Sequence, residues 1–153
     1  MFHIVLFQPQ IPPNTGNIIR LCANTGAKLH LIKPLGFDLD DKNLRRAGLD
    51  YHEYAEVRQY ENLADFIALI NPGRIFACST KGQYSYTQAK FTPNDALLFG
   101  AETSGLPEDL LKQFAPANIL RIPMLAHSRS LNLANSVAVI LYEALRQNNF
   151  ELN

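Results

Sequence analysis

The sequence predicts an α/β fold built as a single domain around a mainly parallel sheet. Three observations predict it. Short apolar runs rich in β-branched and aromatic residues recur along the chain, helix-like stretches alternate with them, and proline or glycine marks most of the joins. The 153 residues suit one domain, and they contain neither a fixed-period repeat nor a low-complexity linker. A chain of this length buries a substantial core without disulfides or metals.

Residues 2–7 (FHIVLF) read as a buried strand, ended by the proline-rich stretch 8–13. Residues 14–24 carry Ile18, Ile19 and Cys22 at helical spacing, and Gly26 supplies a C-terminal stop. Residues 28–33 (KLHLIK) alternate as a strand does, and Pro34 ends it. Asp40 or Asp41 caps a short helix running to Arg46, where an acidic residue suits the positive end of the helix dipole. A third strand is expected around residues 54–58, then a helix over 62–70 closed by Asn-Pro-Gly. Residues 74–79 (RIFACS) and 96–99 (ALLF) are two further buried strands. Pro107 suits the first turn of a helix reaching Phe114, and residues 118–122 form a last strand before Pro123. Residues 131–147 make the strongest helix. Leu131, Ala134, Val137, Leu141 and Leu145 form one stripe, and Val139 and Ile140 add apolar surface beside it. Such a helix needs more than one partner, either within a central core or partly in a homodimer interface.

Fourteen basic and fourteen acidic residues leave no net charge, which argues against a nonspecific polyanion binder. A nucleic-acid enzyme steered by a local cluster remains compatible with it. Cys22 and Cys78 fit no disulfide or zinc framework, so they read as buried, reduced thiols of a cytoplasmic protein. The first residues lack the basic and long apolar regions of a signal peptide, and the apolar runs are too short or too broken to span a bilayer.

Three stretches carry candidate chemistry. The first is Asn14-Thr15-Gly16-Asn17-Ile18-Ile19-Arg20, placed as a ligand loop at the carboxyl edge of a sheet. It has neither the dinucleotide glycine fingerprint nor a Walker lysine. Arg20 falls off the Ile18–Ile19 face, as a solvated helix arginine also would. The second runs from Phe99 to Pro107, with Gly100 and Gly105 flanking Glu102 between a strand and a helix. Glycines there allow close backbone approach to a ligand, and Glu102 is a general base, a hydrogen-bond acceptor or a simple loop acid. The third runs from Ile122-Pro123-Met124 through Ser128 to Ser136, with Ser130 as the expected N-cap. Asn132, Asn135 and Ser136 near the start of an apolar helix need hydrogen-bond partners, from neighbouring loops, a ligand or both.

Together these stretches resemble the three motifs of the SPOUT superfamily of RNA methyltransferases. Asn14, Gly16 and Arg20 are similar to its N-x-G-x-x-x-R element. Phe99, Gly100, Glu102 and Gly105 resemble F-G-x-E-x-x-G, and 122–124 with 130–139 resemble I-P-M followed by S-L-N-L-A-N-S-V-A-V. The resemblance covers nearly the whole chain, and the small size resembles the TrmL type. It implies a C-terminal trefoil knot, which general folding rules would disfavour, and a homodimer. It also implies S-adenosylmethionine as methyl donor without a metal, and the ribose 2′-hydroxyl of the wobble nucleotide of leucine tRNAs as acceptor. By position, the cofactor pocket is expected to involve Cys78, Gly100, Ile122 and Ser130, with Glu102, Gly105 and Leu131 nearby.

The same resemblance puts Arg20 at the reacting hydroxyl. Arginine keeps its proton in nearly all protein settings, so orienting the hydroxyl and a flanking phosphate is the more conservative role than general base. Lys42, Arg45 and Arg46, three cations within five residues, are expected to dock RNA together with Arg129, although short cationic runs are often only solvated helix faces. The rival readings are a related methyltransferase for another tRNA or rRNA position, and a noncatalytic RNA-binding module. The second of these needs no cofactor pocket.

Overall fold

The computed structural model describes residues 1–54 and 56–152, apart from the side chain of Tyr51. Seven strands form one sheet: β1 (His3–Phe7), β2 (Lys28–Ile32), β3 (Arg58–Tyr60), β4 (Ile75–Cys78), β5 (Tyr84–Ser85), β6 (Ala96–Phe99) and β7 (Ile119–Arg121). Their order is β3-β2-β1-β6-β4-β7-β5, and every pairing is parallel. Among the described residues, six α-helices connect and cover them: α1 (Pro12–Thr25), α2 (Asp41–Arg46), α3 (Tyr51–Tyr54), α4 (Leu63–Ile70), α5 (Glu108–Leu111) and α6 (Leu133–Gln147).

The apolar strand runs follow from burial on both faces, as a parallel sheet with helices on each side requires. Ile4 and Leu6 of β1, with Leu97 and Phe99 of β6, pack with Ile18 and Ile19 of α1 and Val137 and Leu141 of α6. The alternate residues, Val5, Ala96 and Leu98, pack on the opposite face with Phe66 of α4 and Leu111 of α5. A one-residue slip of β1 or β6 would exchange these two sets, so the packing fixes the register.

Most elements stand where the sequence puts them, and three differ. Residues 51–54 are the helix α3, and the third strand begins only at Arg58. Glu53 explains this locally, because its carboxylate accepts from the backbone N–H of Asp50 and closes the first turn of α3. Helix α6 begins at Leu133 instead of Leu131, and its N-cap is Asn132, whose side chain accepts from Asn135 N at 3.2 Å. Ser130 is therefore not the cap, and Leu131 is exposed. Helix α5 ends at Leu111, short of Phe114, with Pro107 at the cap position just before its first turn. The two-residue edge strand β5 is too short to leave a periodic signal.

One polar chain runs through the face of the sheet covered by α4. Histidines His3 and His30 and the residue Tyr60 are all nearly inaccessible to solvent. Asn94 Oδ1 lies 2.9 Å from His3 Nε2, His3 Nδ1 lies 2.9 Å from His30 Nε2, and His30 Nδ1 lies 2.8 Å from the Tyr60 hydroxyl. An amide oxygen only accepts, so one assignment satisfies every link: each imidazole is neutral and donates from Nε2, and Tyr60 donates to His30. Phe66 closes over His30 edge-on, with centroids 4.7 Å apart. Burial lowers both histidine pKa values, that of His30 to about 3, with positive neighbours adding to the effect.

A depressed histidine pKa has a definite linkage sign. Above the unfolded value near 6.5 both states are neutral and stability is full. As pH falls below it, the unfolded chain takes up protons that the native one refuses. Stability is expected to fall between pH 7 and pH 5, by at most about 1.4 kcal/mol per pH unit for each protected histidine. Urea denaturation at both pH values measures this, and His30→Gln should flatten the slope. An unfolding midpoint that is equal at both pH values in the unaltered protein would contradict the assignment.

Candidate active site

Because the sheet is parallel, the carboxyl ends of β1, β4, β6 and β7 lie at one edge, and the loops leaving them meet there. After β6 the chain makes a tight excursion: Gly105 N donates to Ala101 O at 2.8 Å, and Gly105 takes a left-handed φ of 66°. This return brings the Gly105–Leu106 peptide against Gly100. A Cβ on Gly100 would lie 2.2 Å from Gly105 C and from Leu106 N, so no side chain fits there. Both glycines thus have a structural reason, and the result is backbone exposed at the floor of a cavity.

Glu102 sits within that excursion and joins it to the start of α1. Its carboxylate accepts from Gln10 N and Ile11 N, each at 2.8 Å, and from Asn14 Nδ2 at 3.2 Å. Asn14 Oδ1 in turn accepts from Asn132 Nδ2 at 2.9 Å. One hydrogen-bonded line, Glu102–Asn14–Asn132, therefore ties together the three stretches singled out in the sequence. Of the roles open to Glu102, the structure realises hydrogen-bond acceptor. Asn14 is buried, and without these partners its amide would be costly to keep out of water.

The cavity enclosed by these loops measures about 220 Å³. Cys78, Gly100, Glu102, Gly105, Ile122, Ser130 and Leu131 all line it, so the seven expected pocket residues come together. Ser136, flagged for its polarity, lines it as well, from the first turns of α6. Ser79 and Thr80, which no sequence motif marks, also line it, as do Thr103 and Met124 from the second and third stretches. Ser79 and Thr80 follow directly from β4, and a polar pair at the end of a buried strand was the available signal. Burial pushes the Cys78 thiol pKa up, so it stays protonated near neutrality and is a wall of the cavity without nucleophilic character. Cys22, on the buried face of α1, is likewise pushed up to about 12.

Exposed backbone, apolar walls and several hydroxyls suit a nucleoside-type ligand that is held largely through main-chain contacts. Gly100 lines the cavity, and the returning Gly105–Leu106 backbone packed against it is what excludes a side chain there.

Arg20 stands elsewhere. It borders a separate groove with Gly16, Phe37 and Leu44, and within one chain it does not line the cavity. Its guanidinium donates to Gly48 O at 2.6 Å and pairs with Glu53. Lys42, Arg45 and Arg46 lie exposed on α2, whose residues Asn43 and Leu44 wall the same groove. Arg129 is exposed and precedes Ser130, which lines the cavity. The cationic residues therefore divide between two places.

Comparison with known proteins gives the same architecture. The model for the SpoU rRNA methylase family matches residues 1–142. A relative from Aeromonas hydrophila, named a tRNA (cytidine(34)-2′-O)-methyltransferase, is 58% identical over 147 residues, covering 96% of this chain and 94% of its own. A solved structure described as giving insight into the 2-OH methylation of C/U34 on tRNA superposes with a TM-score of 0.88 at 47% identity, covering 97% of each chain. An AdoMet-bound rRNA methyltransferase from Sinorhizobium meliloti superposes with a TM-score of 0.78 at 27% identity, over 95% of this chain and 56% of its own. With its three motifs joined around one cavity, and with matches across nearly its whole length, this chain belongs to the SpoU family of SPOUT methyltransferases.

Proposed function

We propose that residues 1–153 act as one tRNA 2′-O-methyltransferase domain that uses S-adenosylmethionine. The proposed acceptor is the ribose of the wobble nucleotide, cytidine or modified uridine at position 34, of leucine tRNAs. The observation that carries the reading is the cavity itself: the seven residues that the family resemblance assigns by position line one pocket. The names of the relatives, which share more than half of their residues with this chain, support the tRNA and the position. The leucine preference comes from the sequence resemblance.

In this reading Cys78, Gly100, Ile122, Ser130 and Leu131 hold the cofactor, with Glu102 and Gly105 shaping the loop around it. When bound, the sulfonium of S-adenosylmethionine supplies an activated methyl, so no metal enters the scheme. With the donor bound, methyl transfer would form the bond from the 2′-oxygen to the methyl carbon as the carbon–sulfur bond breaks, and the hydroxyl proton would pass to solvent or to a nearby acceptor. Holding the reacting groups in line is worth up to about 7–11 kcal/mol. Arg20 orients the hydroxyl and a flanking phosphate as a charged donor.

Since Arg20 stays outside its own chain's cavity, the scheme needs a second copy to deliver it, which makes the enzyme a homodimer. Val139 and Tyr142, exposed on α6, offer apolar surface for that contact. The proposal includes the C-terminal knot that the resemblance implies and a cytoplasmic location beside the tRNA pool. Among the described residues no helix is long and apolar enough to cross a membrane.

Incubation of unfractionated tRNA and ribosomal RNA with methyl-labelled S-adenosylmethionine should place the label on ribose 34 of tRNA. Label confined to ribosomal RNA would favour the rRNA reading, which the 27% identical rRNA methyltransferase keeps in view. No label in any RNA would overturn the enzyme reading. Charge reversal at Arg45 and Arg46 on α2 should weaken tRNA binding and reduce its salt dependence, by about one unit of slope for each phosphate no longer neutralised. The affinity for S-adenosylmethionine should stay unchanged. Undiminished tRNA affinity would remove α2 from the interface.

A further inference from the structure

Arg20 is held by a short segment that the motif pattern does not include. The Glu53 carboxylate takes the guanidinium edge-on, one oxygen pairing with Nε and the other accepting from Nη2 at 3.3 Å. Gly48 O accepts from the same Nη2 at 2.6 Å. Nε and Nη2 are thereby engaged, while Nη1 has no protein acceptor among the described residues. The Arg20 side chain is 49% exposed and that of Glu53 only 16%. The free edge of the guanidinium therefore belongs to the accessible part of the pair.

Glu53 is the fixed partner. Its Oε1 also accepts from Asp50 N at 2.9 Å, which pins the carboxylate to the start of α3 independently of Arg20. Gly48 contributes its carbonyl from a left-handed turn with φ of 78°, and a Cβ there would meet nothing within 4 Å. Conformation alone, with no lack of space, asks for glycine at this position. A half-exposed ion pair adds little to stability, so stability is a weak reason for the arrangement. A two-sided hold that leaves one donor edge free resembles preorganisation for a ligand.

We propose that Glu53, with the Gly48 carbonyl, is a positioning residue for methyl transfer: it clamps Arg20 so that the Nη1 edge faces the RNA. The inference rests on the role given to Arg20 under Proposed function. It adds a carboxylate to the machinery, one that fixes which edge of Arg20 is left free for the reacting hydroxyl and its flanking phosphate.

Glu53→Gln is the conservative test, because the amide oxygen can still accept from Asp50 N. In single-turnover methylation of unfractionated tRNA, this variant should lose about tenfold or more in rate at saturating tRNA. The apparent tRNA affinity should move far less, and S-adenosylmethionine affinity and Tm should hold. A full rate in Glu53→Gln beside a lost rate in Arg20→Ala overturns the clamp and leaves the proposed function standing. A full rate in Arg20→Ala overturns the role of Arg20 itself. Parallel loss of rate, cofactor affinity and Tm in Glu53→Gln marks a structural role and also overturns the clamp. A readout free of activity is the ¹⁵N-detected Nε–H signal of Arg20, identified by its absence in Arg20→Ala. It should be protected from exchange in the unaltered protein and unprotected in Glu53→Gln, and equal exchange in both would refute the proposal.

Discussion

The carboxylate of Glu102 is the contact on which the site depends. Helix α1 opens with Ile11 as an N-cap lacking any side-chain cap, followed by Pro12 and Pro13, which carry no N–H. Glu102 reaches across from the β6 loop to take the backbone donors of Gln10 and Ile11, and it places a negative charge at the positive end of a 14-residue helix. Asn14 extends the contact to Asn132, the cap of α6. One acidic side chain so sets where α1 begins, how the β6 loop folds, and where α6 starts relative to both.

Placement of the two glycines follows from that constraint. A loop tied at Glu102 must turn back within a few residues to reach α5, and the left-handed Gly105 makes the turn. Gly100 then lies against the returning chain and has no room for a side chain. Residues that look like ligand binders in a motif are here also the ones that let the chain fold. The two roles are the same geometry seen from inside and outside the cavity.

The sheet and most helices were legible in the sequence because burial on both faces writes long apolar runs and because caps such as Asp40, Asn62 and Gly26 punctuate them. The cavity was legible through motif resemblance alone, since glycines and a lone carboxylate carry no periodic signal. Helix α3 was hidden because four residues are too few to show helical spacing, and its closure depends on Glu53 folding back to Asp50. The cap of α6 was misread because Ser130 and Asn132 are both good caps, and only the tertiary bond to Asn14 decides between them. The His3–His30–Tyr60 chain joins three strands distant in sequence, so no local pattern announces it.

The division between cavity and cations shapes the functional account. One cavity is lined within a single chain by the loops after β4, β6 and β7, whereas Arg20 and α2 face a different groove. Everything in the first region hangs on Glu102, so its most direct test is the calorimetric affinity for S-adenosylmethionine of Glu102→Gln against the unaltered protein. The amide conserves shape but sets an NH₂ against the backbone donor of Gln10 or Ile11. The account predicts affinity weaker by about tenfold or more, with the overall fold retained by circular dichroism. Equal affinity in the two proteins would contradict it.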